Sequence, residues 1–315
     1  MPSPAIHVTD SLTDTQREQV RDLLARSTAA DGVSALSEQS VLHLTSGPGR
    51  VRHLLSYAAE RLTGYAQLEG TDDPAASGEL LVDPDARRAG VGTALAQAAL
   101  AQAPRARLWS HGRLPGALAL ADRLGLVAVR ELHKMARPLG EADLDPAASA
   151  LPAGFTARAF EPGRDEQAWL ATNAAAFAHH PEQGSLTLED LQERMALPWF
   201  DPAGFILVVA DEQPDEVAAF HWTKVDPEET SSIDPTRPAG EVYVVGVHPT
   251  YQGRGLGRPV TSLGLAHLAS LGLPEVVLYV DGDNRAAIRT YTGLGFRSIM
   301  VDVMYSHTVH QPLSG

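Results

Sequence analysis

Hydrophobic and polar positions follow two rhythms along this chain, and the changes of rhythm predict strands and helices in mixed order. Behind Thr13, a helix-capping residue type, Val20, Leu23 and Leu24 recur at helical spacing. Strand-like runs follow at 51–57, 65–68 and 79–83, then an alanine-rich helix at 93–103, a strand at 107–110, a helix at 116–124 and a strand at 127–135. The small, acidic, proline-bounded stretch 138–152 has the composition of a linker. Beyond it the plan repeats: a strand at 155–159, helices at 166–178 and 187–194, and strands at 204–209, 216–225 and 241–247. A helix at 258–271, a strand at 275–280, a helix at 284–293 and a strand at 298–305 complete it. Such interleaving predicts an α/β (α+β) chain of two domains, 1–140 and 153–315, joined by 141–152, each with a mixed central sheet flanked by helices.

The halves share a motif as well as an order of elements. Leu80–Thr93 and Val245–Arg258 align without a gap, placing Arg87 on Gln252, Gly90 on Gly255 and Gly92 on Gly257. A strand that stops at proline and resumes as a helix after closely spaced glycines gathers free backbone N–H groups in one concavity, with the positive end of the helix dipole behind them. Glycine permits close approach of the anion that belongs there. Arg87, Arg88, Arg254 and Arg258 add charge suited to phosphate oxygens. Neither G-x-x-x-x-G-K-[ST] nor a full G-x-G-x-x-G is present, which disfavours a nucleotide-hydrolysing or dinucleotide site.

Composition narrows the class. A net charge of −14 and a pI near 5.2 argue against a nucleic-acid surface and suit a cationic or amine substrate. No apolar run approaches membrane-spanning length and the N-terminus has no leader pattern, so a cytoplasmic enzyme, acting as a monomer, is expected. Cysteine is absent, so acyl transfer would be direct, without an acyl-cysteine. The adjacent His179 and His180 lack a third ligand at compatible spacing, and no metal is expected. Lys134 and Lys224 are the only lysines.

The loop reads [Q/R]-x-x-G-x-[G/A], and with it the chain resembles the GNAT superfamily of acyl-CoA-dependent N-acetyltransferases, twice over. A second signature, Asn284-x-x-Ala287-x-x-x-Tyr291 followed by Gly295-Phe296, carries the same resemblance. It implies acetyl-CoA as co-substrate, with the pyrophosphate on the loop and the pantetheine arm along the preceding strand. The implied cofactor residues are Leu80, Leu81, Val82, Arg88, Ala89, Gly90, Val91, Gly92 and Thr93 in the first half. In the second they are Val245, Gly246, Val247, Gln252, Gly253, Arg254, Gly255, Leu256, Gly257 and Arg258, together with Asn284, Arg285, Ala286, Ala287, Ile288 and Arg289. It also implies central parallel strands that splay apart at the acyl site.

Chemistry is expected in the second half. Asn284 suits a helix N-cap. Tyr291 lies two helical turns on, where a phenol can protonate the departing CoA thiolate, the two groups having pKa values of about 10 and 8.5. Glu241 precedes Val245 by four residues, and strict alternation places it on the side of Tyr243 and Val245 as the general base for the attacking ammonium. At the aligned positions the first half has Ala76 and Ala121, so it is expected to hold CoA without performing transfer.

The stretches 173–184, 220–225 and 240–244, with 31–33 and 38–39, narrow the resemblance to actinobacterial tandem acetyltransferases that modify the cysteinyl amine of Cys-glucosamine-inositol (Cys-GlcN-Ins). That likeness implies Glu38, Glu182, Lys224, Glu241 and Tyr279 as contacts to the pseudodisaccharide. Acetyltransfer to another small amine, such as a polyamine or an aminoglycoside, and an acyl-CoA-binding sensor are the competing readings.

Overall fold

The computed structural model describes residues 4–45, 49, 51–70, 76–178 and 181–307, which form two compact units. The first comprises the described residues of Met1–His133, Asp281–Asp283 and Met300–Gly315; the second comprises those of Lys134–Val280 and Asn284–Ile299. No helix among the described residues is long and apolar enough to cross a membrane.

The first half of the chain runs β1 (Ile6–Thr9), α1 (Asp14–Asp31), α2 (Glu38–Leu42), β2 (Val51–Ala58), β3 (Arg61–Glu69), β4 (Ser77–Val82), α3 (Val91–Gln102), β5 (Arg107–Ser110), α4 (Pro115–Leu124) and β6 (Val127–Pro138). The second runs β7 (Phe155–Ala159), α5 (Glu166–Ala176), α6 (Pro181–Gly184), α7 (Leu188–Met195), β8 (Phe205–Ala210), β9 (Gln213–Lys224) and β10 (Gly240–Val247). It ends with α8 (Gly257–Ser270), β11 (Glu275–Asp281), α9 (Arg285–Gly293) and β12 (Arg297–Ser306). Sequence periodicity does not reveal β1, which is four residues long, or α2, a five-residue helix. Thr13 caps α1 in a reciprocal box with Gln16, satisfying two otherwise orphaned donors.

In the first unit the sheet order is β1-β2-β3-β4-β5-β12, and in the second it is β6-β11-β10-β9-β8-β7. Four antiparallel strands lead in each case to one parallel pair, β4 with β5 and β10 with β11. β12, from the end of the chain, pairs antiparallel with β5 through Val303↔Ser110, Met304↔Trp109 and Tyr305↔Leu108. The compact units therefore differ from the contiguous segments 1–140 and 153–315, because periodicity identifies a strand but not the sheet edge it joins.

Each sheet is covered on both faces. The alanines of α3 let it lie close against Leu54, Leu68 and Leu108, and α1 buries Val20 and Leu23 with Leu55 and Tyr65 on the other face. In the second unit Trp169 of α5 packs with Phe205, Phe220 and Trp222, while α8 sets Val260, Leu265 and Leu268 against the opposite face. Gly264 is required there, since a Cβ would sit 2.1 Å from the His221 ring.

Two irregularities interrupt the regular pairing of these strands. Parallel pairing stops at Glu79↔Trp109 in one unit and at Val242↔Leu278 in the other, so Leu80–Val82 and the end of β10 leave the register of the neighbouring parallel strand. A β-bulge between Val242 and Val244 also shifts β10 against β9, where Glu241 faces Lys224 but Val244 faces Trp222. A bulge adds one residue to one strand and so inverts the alternation beyond it.

Candidate active site

The two glycine loops adopt one conformation. Each strand runs into a short 3₁₀ turn, Pro84–Ala86 or Pro249–Tyr251, whose first amides are capped from the preceding side chain. Asp83 accepts from the Asp85 amide at 3.1 Å, and His248 Nδ1 from the Thr250 amide at 3.3 Å. The next side chain folds back on the strand: Arg87 Nε donates to the Val82 carbonyl at 3.3 Å, and Gln252 Nε2 to the Val247 carbonyl at 3.4 Å. Left-handed backbone then falls at Arg88 (φ 65°) and Gly90 (φ 87°), matched by Gly253 (φ 77°) and Gly255 (φ 80°). Neither α3 nor α8 has a side-chain cap, so their first amides are left for an external acceptor. A Cβ on Gly90, Gly253 or Gly257 would meet nothing within 4 Å, so these glycines keep space in front of those amides rather than relieve a contact. Arg87, expected to serve phosphate, instead grips Asp31 through two hydrogen bonds of 2.7 Å. Arg254 lies 5.0 Å over the Tyr251 ring, while Arg88 and Arg258 are exposed beside the loops.

The bulge settles which side chains share a face of the second sheet. Beyond it Val245 packs with Val260 and Leu256 on the α8 side, whereas Tyr243 and Val244 lie with Trp222 on the α5 side. Glu241, cross-strand partner of Lys224, belongs to that second face; it shares the side of Tyr243 but not that of Val245, as strict alternation had required. Val277 is level with Glu241 on β11, and Tyr279, two residues on, projects to the same face. Lys224, Glu241 and Tyr279 are therefore brought together. The Lys224 ammonium lies 5.1 Å from the Trp199 ring centre, 5.7 Å from that of Tyr243 and 3.6 Å from Asp226.

Lys134, on β6, joins this group and was not singled out from sequence. Its ammonium pairs with Glu229 and lies 5.6 Å from the centre of the Tyr279 ring. Burial disfavours its charge, but Tyr279 and Glu229 outweigh that and hold its pKa above the ordinary value. Burial, helped by Glu241 and Glu229 and opposed by Lys134, pushes the Tyr279 phenol up to about 12.

Tyr291 occupies the other face. It packs from α9 against the cluster of Val242, Leu265, Leu278 and Phe296, edge-on to the Phe296 ring at 5.8 Å. Burial pushes its phenol up to about 12, which keeps it protonated but widens the gap to a thiol of about 8.5. Tyr291 is thus suited to donate a hydrogen bond to a departing sulfur rather than to act as a matched acid. Asn284 caps α9, its side chain accepting from the Ala287 amide at 3.0 Å. Ala287 and Ile288 pack inward, and Arg285, Ala286 and Arg289 are exposed.

Glu38 opens α2, and its N-cap Ser37 donates its amide to Glu79 at 2.8 Å. Glu182 lies in α6, but its side chain is outside the described residues, as are His179 and His180. In the first unit the last residue before the splay is charged and buried. Glu79 Oε1 lies 3.1 Å from His111 Nε2, and His111 Nδ1 lies 3.0 Å from Asp302, which also accepts from the Gly112 amide at 2.8 Å. Burial opposes the imidazolium, but the two carboxylates raise His111 to about 10; His111 in turn lowers Glu79 against the cost of its own burial. The sequence signal was a lone charge in the apolar run at 79–82. Because its folded pKa is raised, His111 contributes stability that is full below about pH 6.5 and is lost progressively as the pH rises toward about 10. His111→Ala should cost about 3–5 kcal/mol in urea unfolding near neutral pH, by stranding two carboxylates, and should flatten the alkaline loss of stability. A variant as stable as the parent from pH 6 to 10 would contradict that account.

The acetyltransferase (GNAT) family model matches residues 18–126 and 167–296, once in each half. The chain belongs to the acetyltransferase (GNAT) family. Among curated GNAT relatives, the mycothiol acetyltransferase of Streptomyces scabiei is 50% identical over 303 residues, covering 95% of this chain and 94% of that protein. That of Thermomonospora curvata is 50% identical over 307 residues, covering 97% and 98%. Among solved structures, the tandem GNAT protein from the clavulanic acid biosynthesis pathway superposes with a TM-score of 0.70 at 19% identity, over 98% of this chain and all of that one. The fold is thus two tandem GNAT domains, and the protein is an acyl-CoA-dependent, acetyl-transferring enzyme.

Proposed function

We propose that this chain transfers acetyl from acetyl-CoA to the cysteinyl amine of Cys-GlcN-Ins, the last step in making mycothiol, by direct attack. The observation that carries the reading is the gathering of Lys224, Glu241 and Tyr279 on one face beside the splay, with the glycine loop and Tyr291 toward the other. A thioester delivered from the α8 side can then meet an amine arriving from the α5 side. Glu241 accepts the proton of the ammonium. Backbone N–H groups of β10 beyond the splay serve the pantetheine arm and the developing oxyanion. Tyr291 donates a hydrogen bond to the departing sulfur, which takes up the second proton that the nitrogen sheds as the C–S bond breaks and the amide forms. Glu38, Glu182, Lys224 and Tyr279 are assigned to the polyol, whose hydroxyls both donate and accept.

The duplicated modules are 1–140 and 153–315 with 141–152 between them, and the first holds CoA without transfer, since Ala76 and Ala121 replace the base and the acid. The net charge of −14 supports an enzyme that works without nucleic acid; we place it in the cytoplasm as a monomer requiring no metal. With acetyl-CoA saturating, kcat/KM for Cys-GlcN-Ins should exceed that for free cysteine or spermidine by about 10²-fold or more, because sugar and cyclitol contacts orient the amine. Equal values for the three amines, measured by product mass, would remove the substrate assignment and leave acetyl transfer intact.

A further inference from the structure

The only two lysines of the chain both fall on the candidate acceptor face of the second unit. The strands β6, β11, β10 and β9 lie side by side there and bring Lys134, Tyr279, Glu241 with Tyr243, and Lys224 to that face. Lys224 is the cross-strand partner of Glu241. Lys134 stands at the other end, largely buried, with its ammonium on the Glu229 carboxylate and 5.6 Å from the centre of the Tyr279 ring, beside the phenol.

An ammonium has donors only, so wherever Lys134 meets the Tyr279 oxygen it must donate to it. The phenol has one proton, and an oxygen that accepts from Lys134 turns that proton away from the lysine. Tyr279 is 39% exposed, so the direction is toward the open face rather than into the core. We propose that Lys134 is a positioning residue for the acceptor: by donating to the Tyr279 hydroxyl it turns that phenol into a fixed hydrogen-bond donor for an oxygen of a polyol-bearing amine. The inference rests on the acceptor reading given above and adds to it the group that sets the polarity of the Tyr279 contact. Glu229, 43% exposed at its side chain, holds the ammonium through its carboxylate.

The test is steady-state kinetics of Lys134→Met, Lys134→Arg, Tyr279→Phe and the Lys134→Met/Tyr279→Phe double variant, with acetyl-CoA and Cys-GlcN-Ins. Lys134→Met should raise KM for the acceptor about tenfold while kcat stays within about threefold and KM for acetyl-CoA is unchanged. Lys134→Arg, which keeps a donor, should recover most of that loss. In the double variant the effects should fail to multiply, because both changes remove the same contact. Multiplying effects, or equal losses toward acetyl-CoA and acceptor, would overturn the proposal, as would a Lys134→Met enzyme with parental acceptor KM. If the parent enzyme itself does not acetylate Cys-GlcN-Ins, the substrate reading fails instead. Should Lys134→Met not fold, Lys134→Arg and Tyr279→Phe still decide, since Tyr279→Phe must then reproduce the acceptor-specific loss.

Discussion

Replacing Glu241 with Gln should lower kcat for acetyl transfer by about 10²–10⁴ and leave the acetyl-CoA KM nearly unchanged, the signature of a lost proton acceptor. The amide keeps the shape of the carboxylate opposite Lys224 on the strand ahead of the bulge, so the effect isolates proton acceptance rather than packing. The loss should shrink as the pH rises past about 8, where an α-amine is already neutral and needs no base. Tyr291→Phe should be milder, about 10–10² in kcat, because a buried phenol at about 12 gives a hydrogen bond rather than a matched proton. A Glu241→Gln enzyme turning over at the parental rate below pH 7, in initial-rate assays, would remove Glu241 from the chemistry.

Gly257→Trp should abolish turnover, whereas Gly92→Trp should leave kcat within about tenfold while blocking acyl-CoA at the first loop. These glycines are chosen because neither has a positive φ and a Cβ on either is tolerated. At Gly257 it meets nothing within 4 Å, and at Gly92 its nearest neighbour is Val82 at 3.5 Å. Gly90 and Gly255 would be poorer probes, since their left-handed backbone would itself be strained by a side chain. Calorimetry with CoA should count two sites in the parent and one in each variant. Two sites in the Gly92 variant, or single-turnover chemistry lost there in a folded protein, would contradict the division of labour between the halves.

The loops were legible because their chemistry is local. A proline, a run of glycines and a following helix fix the backbone within a dozen residues, so the same caps, back-folded side chains and left-handed positions appear in both copies. Helix caps at Thr13 and Asn284 were legible for the same reason. What could not be read depends on partners distant in sequence. The bulge at Tyr243 is a mismatch between two strands, and only the register shows that Val245 leaves the face of Glu241. Lys134 reaches Tyr279 and Glu229 from the strand that closes the first half of the chain, and Glu79, His111 and Asp302 come from three separate strands or turns. Arg87 looked like a phosphate ligand because nothing near it in sequence announces Asp31 as its partner.

The strand β12 carries Asp302 to His111 and fills the sheet edge beside β5, so the first unit of the protein is finished by a strand made after the whole of the second unit's sheet. Until β12 has been made, β5 presents an open edge and His111 lacks one of its two carboxylates. An ancestral duplication that has traded strands in this way can no longer be undone by losing one copy. Either half, cut at the linker, would take with it a piece of the other's sheet.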